Sequence, residues 1–95
     1  MEPAIPDSVR PLVARLSAAP GVRRVVLFGS RARGDHRPRS DVDLALDAPG
    51  LADADWLRLH ADADDARTLY HVDLVRLDRV PDPLRQRIER EGVDV

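Results

Sequence analysis

Phe28-Gly29-Ser30-Arg31-Ala32-Arg33-Gly34-Asp35-His36-Arg37-Pro38-Arg39-Ser40-Asp41-Val42-Asp43-Leu44 is the stretch on which the reading of this chain turns. It reads as the end of a strand, a glycine–serine turn, an arginine-bearing loop and a second strand presenting two carboxylates. Side chains two apart on a strand point the same way, about 6.6 Å apart along it. Asp41 and Asp43 therefore share a face, with Val42, Leu44 and Leu46 on the opposite one. Two anions held that close repel, and such a pair is tolerated best when a cation neutralises it. Hard carboxylates beside a phosphate-binding turn suit Mg²⁺, which binds through one or two carboxylates plus substrate phosphates. The spacing points to phosphoryl or nucleotidyl transfer.

Outward from that stretch, residues 23–28 form a β-branched, apolar run of strand length that ends at Gly29. Glycine lets the backbone approach a phosphate closely, and the turn after it opens a short helix whose N–H groups face an anion. The Ser30 hydroxyl adds one more donor, Arg31 and Arg33 offer paired guanidinium donors, and Gly34 permits a positive-φ turn. Ser40 either orients the carboxylate strand or touches a phosphate. A third acid, Asp73, lies within an expected strand over 70–77, on the same face as His71, Val75 and Leu77. If that strand lies beside 41–47, the three acids converge on one metal site. In two-metal transfer the ions stabilise the attacking and leaving oxygens. Asp41 and Asp43 would hold both ions, and Asp73 would complete the site at the acceptor hydroxyl and take its proton.

The remaining elements are punctuated clearly. Val9, Leu12, Val13 and Leu16 make an apolar stripe over a helix at 8–18, with Asp7 or Ser8 as its cap and Pro11 in its first turn. Pro20-Gly21 stops it, and Pro49-Gly50 closes the carboxylate strand. Trp56, Leu59, Ala63 and Ala66 predict a helix over 53–68. A last helix is expected with Asp82 as N-cap, Pro83 at its first position, Gly92 just past its end, and Leu84 and Ile88 buried. The order predicts one α+β domain over residues 1–95, a mixed β-sheet with helices packed on one face and an open catalytic face on the other.

Composition narrows the class. A chain of 95 residues with 43% hydrophobic and 34% charged residues is that of a small folded domain. No cysteine is present, so disulfides and thiolate metal sites are excluded. No apolar run approaches the roughly 20 residues that cross a bilayer, and no secretory leader is seen, which makes a cytoplasmic setting the expectation. A net charge of -2 argues against general nucleic-acid binding. All 15 basic residues are arginine, which excludes a P-loop lysine. Trp56 and Phe28 read as core, Tyr70 as a sheet-edge side chain, His71 as a sheet residue, and Arg37 and Arg39 as solvated loop charges.

Gly29-Ser30, Arg33, Gly34, Ser40-Asp41-Val42-Asp43-Leu44 and the later Asp73 together resemble the DNA polymerase beta-type nucleotidyltransferase superfamily. The Phe-Gly-Ser-Arg-Ala-Arg-Gly wording and the length resemble its minimal nucleotidyltransferases, which include MntA-type antitoxins. The resemblance covers essentially the whole chain. It departs only at Val93-Asp94-Val95, where relatives often close with a hydrophobic–aromatic pair that bears on C-terminal packing or a partner contact.

What the resemblance implies is transfer of a nucleoside monophosphate from ATP to a hydroxyl, with two Mg²⁺ ions. It makes Asp41, Asp43 and Asp73 catalytic and metal-binding, and Gly29, Ser30, Arg33 and Ser40 nucleotide-binding. Larger relatives carry an added domain for the acceptor, and this chain has no residues to spare for one. The implied acceptor is a tyrosine of a separate helical HEPN ribonuclease toxin encoded nearby, held in a hetero-oligomer, with no membrane and no direct nucleic-acid partner. Two other readings stay open: a non-catalytic module that blocks its partner sterically, and a nucleotidyltransferase subunit acting on a small molecule or RNA.

Overall fold

The computed structural model describes residues 5–95, so the N-terminal residues 1–4, which bear on the expectation of no leader, lie outside it. A 3-10 turn at Asp7–Val9 leads into α1, Arg10–Ala18. Then follow β1 (Arg24–Phe28), the four-residue α2 (Ser30–Arg33), β2 (Val42–Asp47), α3 (Asp53–Asp64), β3 (Val72–Arg76), α4 (Asp82–Glu91) and β4 (Val93–Asp94). The strands form one mixed sheet in the order β3-β2-β1-β4. β1 is antiparallel to β2 and to β4, whereas β2 and β3 run parallel.

Strand alternation divides the core into two layers. Val25 and Leu27 of β1, Val42, Leu44 and Leu46 of β2, and Val72 and Leu74 of β3 meet Leu12 and Leu16 of α1 and Leu59 and Ala63 of α3. Val26 and Ala45 point the other way and meet Leu77, Ile88 and Leu84. The expected mixed α+β architecture is therefore present, with one difference in how the helices are distributed. α1 and α3 cover one face, and α4 crosses to the second because its own apolar pair, Leu84 and Ile88, needs Val26 and Ala45 as partners. On this second face Asp43 is half-buried and Asp73 exposed, beyond the part that packs under α4.

Several boundaries move for local reasons. Neither Asp7 nor Ser8 caps α1: Asp7 pairs with Arg10 at 3.2 Å, and the Ser8 hydroxyl hydrogen-bonds that of Thr68 at 2.8 Å. Pro81, not Asp82, is the N-cap residue of α4, and its carbonyl accepts the Arg85 N–H. Asp82 is the first helical residue and accepts from Arg85 Nη2 at 2.7 Å. α3 ends at Asp64 rather than at residue 68. Asp62, Asp64 and Asp65 crowd its C-terminal end, where the helix dipole disfavours negative charge.

The tail takes part in the sheet. Val93 pairs with Leu27 and Asp94 with Val26, and the Val95 N–H donates to Val25 O at 2.9 Å. A side chain on Gly92 would collide with Ile88 O and Val26 Cγ1, so the chain passes there only because it has no Cβ. Arg24 clamps this corner, with its Nε on Asp47 and Nη2 on Glu89 (both 2.8 Å) and Nη1 on Asp94 at 3.4 Å.

Arg76 is buried at the end of β3, which a charge-based reading of the sequence misses. Its Nη2 donates to Ala48 O and Leu51 O at 3.0 Å each, its Nε to Asp78 at 3.2 Å, and its guanidinium lies 5.9 Å from the Trp56 ring centre. Arg76→Met leaves Leu51 O and Asp78 without this donor and Ala48 O with only the Leu51 N–H. The expected loss is about 3 kcal/mol, read from urea unfolding midpoints at unchanged slope.

Candidate active site

β1 ends in a glycine that must be a glycine. Gly29 has φ 76°, and a Cβ built on it would run into the Asp43 carboxylate, so the turn lies directly over that acid. The Gly29 carbonyl accepts the N–H groups of Ala32 and Arg33 at 3.1 Å each. The Ser30 carbonyl accepts those of Gly34 and Asp35, at 2.9 and 3.1 Å. These bonds form α2, and Gly34 stops it in a left-handed conformation at φ 88°.

The acids fall in one row across the sheet. Asp43 sits opposite Phe28 in the antiparallel pair and opposite Asp73 in the parallel pair. Asp41 precedes Asp43 by two residues, just before β2 begins. Asp43 is half-buried, whereas Asp41 and Asp73 are exposed. Its carboxyl is raised above the ordinary carboxylate range, first by burial and then by the charges of Asp73 and Asp41; His71 and Arg33 pull it back in part. Among the described residues no three acids or histidines close into a preformed ligand set. The acids share a face as separate, mutually repelling carboxylates, which is the donor chemistry that suits a hard divalent cation.

The arginines divide sharply. Arg31, expected as a phosphate contact, is buried. Its Nε and Nη2 donate to Ser40 O at 3.1 Å, Nη2 also to Pro38 O at 3.2 Å, and the guanidinium lies 5.1 Å from the Tyr70 ring centre. Arg31 thus ties the loop in front of Asp41 to α2. Ser40 shares that task, its hydroxyl accepting the Arg37 N–H at 2.8 Å. Tyr70 packs at the sheet edge and Trp56 against the core, as the sequence indicates.

Arg33 is exposed and reaches two acids, Asp35 at 3.1 Å and Glu91 at 3.4 Å. The Asp35 hydrogen bond, followed by its charge and by Glu91, keeps the guanidinium firmly protonated. Glu91 stands at the C-terminal end of α4, a place the helix dipole disfavours for an acid, and no pattern in the sequence singles it out. Its position follows from the β4 pairing, which brings the end of α4 beside α2. Glu91→Gln is expected to leave the Tm nearly unchanged, because its pair with Arg33 is 3.4 Å long and partly exposed; a fall of several degrees in a thermal melt would make the pair structural.

Residues 12–95 match the family described as polymerase beta, nucleotidyltransferase. The chain belongs to this family. No curated protein matches the nucleotidyltransferase. Among solved structures it is similar to a chain in a crystal structure of a toxin–antitoxin with AMP-PNP, at 27% identity and a TM-score of 0.64, over 93% of this chain and 69% of that one. It is also similar to a chain in an MntA–HpeT toxin–antitoxin mutant with two aspartates changed to glutamate, at 26% identity and a TM-score of 0.61, over 93% and 69% of the two chains. A third structure, the tri-AMPylated Shewanella oneidensis HEPN toxin in complex with MNT antitoxin, shares the fold at 24% identity and a TM-score of 0.55, over 93% and 66%.

Proposed function

We propose that this nucleotidyltransferase is an antitoxin that moves AMP from ATP to a tyrosine hydroxyl of a HEPN-type toxin, with Mg²⁺ as its metal. The observation that carries the reading is the row Gly29, Asp43, Asp73 on three adjacent strand ends, with Asp41 beside it. Supporting it, a structure above 25% identity is a toxin–antitoxin with AMP-PNP. The two altered aspartates of the MntA–HpeT mutant have the same two-residue spacing as Asp41 and Asp43. Among the described residues no helix is long and apolar enough to cross a membrane, and the proposed setting is the cytoplasm, with residues 1–95 as one catalytic domain.

The residues divide the work by their places. Asp41, Asp43 and Asp73 would hold the ions, which when bound neutralise charge on the transferring phosphoryl group and acidify the acceptor hydroxyl. Gly29 brings backbone close to the phosphates, Ser30 adds a hydroxyl, and Arg33 faces the triphosphate as a fixed positive charge. Ser40 and Arg31 hold the loop that aims Asp41. The acceptor oxygen forms a bond to the α-phosphorus, the bond to the bridging oxygen breaks, and pyrophosphate leaves with that electron pair. Asp73, exposed at the outer strand, takes the acceptor proton. Whole-protein mass spectrometry of the toxin, after incubation with this chain, ATP and Mg²⁺, tests the reading. One or more added AMP masses are expected. A stable complex with no added mass would replace catalysis with steric blockade.

A further inference from the structure

The site is crowded on one side and open on the other, and the open side carries an unexplained surface. Gly29 and α2 lie on the β1 side of Asp43, and α4 covers the same sheet face further along at Val26 and Ala45. On the other side Asp73 belongs to β3, which is the edge of the sheet and has no outer neighbour among the described strands. An acceptor therefore reaches the acids over β3. Because β2 and β3 run parallel, the loops that enter them stand at the same end of the sheet. Those loops bring Arg39, Leu69 and Tyr70 around one hollow, and Arg67 joins Leu69 and Tyr70 around a second.

Leu69 is the most exposed large apolar side chain among the described residues, at 104% of its reference area, against 66% for Leu57. It supports no core, yet it stands four residues before Asp73. Arg39 and Arg67 are exposed and make no ion pair among the described residues, although Asp62 and Asp65 line a neighbouring hollow together with Arg67. A lone apolar knob with an unpaired cation on each side gains most from an apolar recess rimmed by carboxylates. A nucleic acid fits less well: leucine has no ring face for a base, the Tyr70 ring is already packed on the core and against Arg31, and the chain's net charge is -2.

We propose that Leu69, Arg39 and Arg67 form the docking surface for the protein acceptor, with Leu69 entering an apolar recess on a partner whose surrounding surface is acidic. The surface places the partner's hydroxyl at Asp73 and sets which protein is modified. This inference rests on the reading of the chain as a protein-modifying transferase, and the experiment separates the two.

Transfer to the HEPN-type toxin is measured for the wild type, Leu69→Asp, and Arg39→Glu with Arg67→Glu, at low and moderate salt, alongside nucleotide affinity. All three side chains are exposed, so the variants are expected to melt with the wild type. Each variant is expected to raise the KM for the toxin by about tenfold or more, as loss of an interface anchor does. Nucleotide affinity should be unchanged, and the charge reversals should flatten the salt dependence. Toxin KM values within about twofold of wild type, alongside working transfer, overturn the docking surface but leave the transferase reading intact. The surface is equally overturned if only binding of a single-stranded RNA oligonucleotide falls in the variants. If the wild type itself transfers nothing to the toxin, the functional reading fails first and the surface with it.

Discussion

Changing Asp41 and Asp43 together to asparagine is expected to lower nucleotidyl transfer by about a thousandfold or more while the protein stays folded. Metal-supplied charge stabilisation amounts to several kcal/mol, and each 1.36 kcal/mol is a factor of ten in rate. The stability arm of the prediction has the opposite sign to the usual cost of a mutation. Asp43 has a folded-state pKa above the ordinary carboxylate value, through burial and the charges of Asp73 and Asp41. Its ionised form therefore weighs against the metal-free fold, and the penalty grows as pH rises through the raised value. Below that range wild-type Asp43 is protonated and the penalty disappears. Asparagine keeps the shape without the charge, so the metal-free Asp43→Asn protein should melt at or above the wild-type temperature near neutral pH. That advantage should shrink in acid. Thermal melts at two pH values with and without Mg²⁺ check this, and Mg²⁺ should raise the Tm of the wild type but not of the double variant. A variant that melts well below wild type near neutral pH would make these acids structural.

Gly29→Ala should remove activity nearly as completely and cost stability as well. The added methyl would strike the Asp43 carboxylate, and alanine would also have to hold a φ of 76°. Gly34→Ala is the internal control. Its φ is 88°, but a Cβ there meets nothing within 4 Å. It should therefore carry only the left-handed backbone cost of about 1–2 kcal/mol, with transfer largely retained. The comparison isolates the contact with Asp43 from the conformational strain the two positions share. Denaturation curves and turnover rates for both variants decide it: similar activity losses at Gly29 and Gly34 would mean that the close approach to Asp43 has no catalytic weight.

Much of the site is legible in the amino-acid order, because its information is local. Alternation with period two places Asp41 and Asp43 on one face and Leu44 and Leu46 on the other, and burial follows that division. Gly29 ends its strand because the chain needs a conformation that a side chain obstructs, and a glycine between an apolar run and a serine announces this. The long-range features are not legible there. Asp73 is only an acid in a strand until the parallel pairing sets it against Asp43. Arg31 and Arg33, two residues apart in one motif, have the same chemistry on paper. The short helix turns one inward onto Ser40 O and the other outward to Asp35 and Glu91. The burial of Arg76 depends on carbonyls at Ala48 and Leu51, supplied by a distant loop.

The amino-acid order by itself thus determined the strand faces, the glycine turn and the identity of the carboxylates, since sterics and side-chain periodicity act between near neighbours. Only the tertiary structure decided that the tail at Val93–Asp94 closes the sheet, that α4 packs on the sheet face that carries Asp43, and that Glu91 meets Arg33. Those contacts depend on strand register and helix packing, which are set by the burial of many side chains at once.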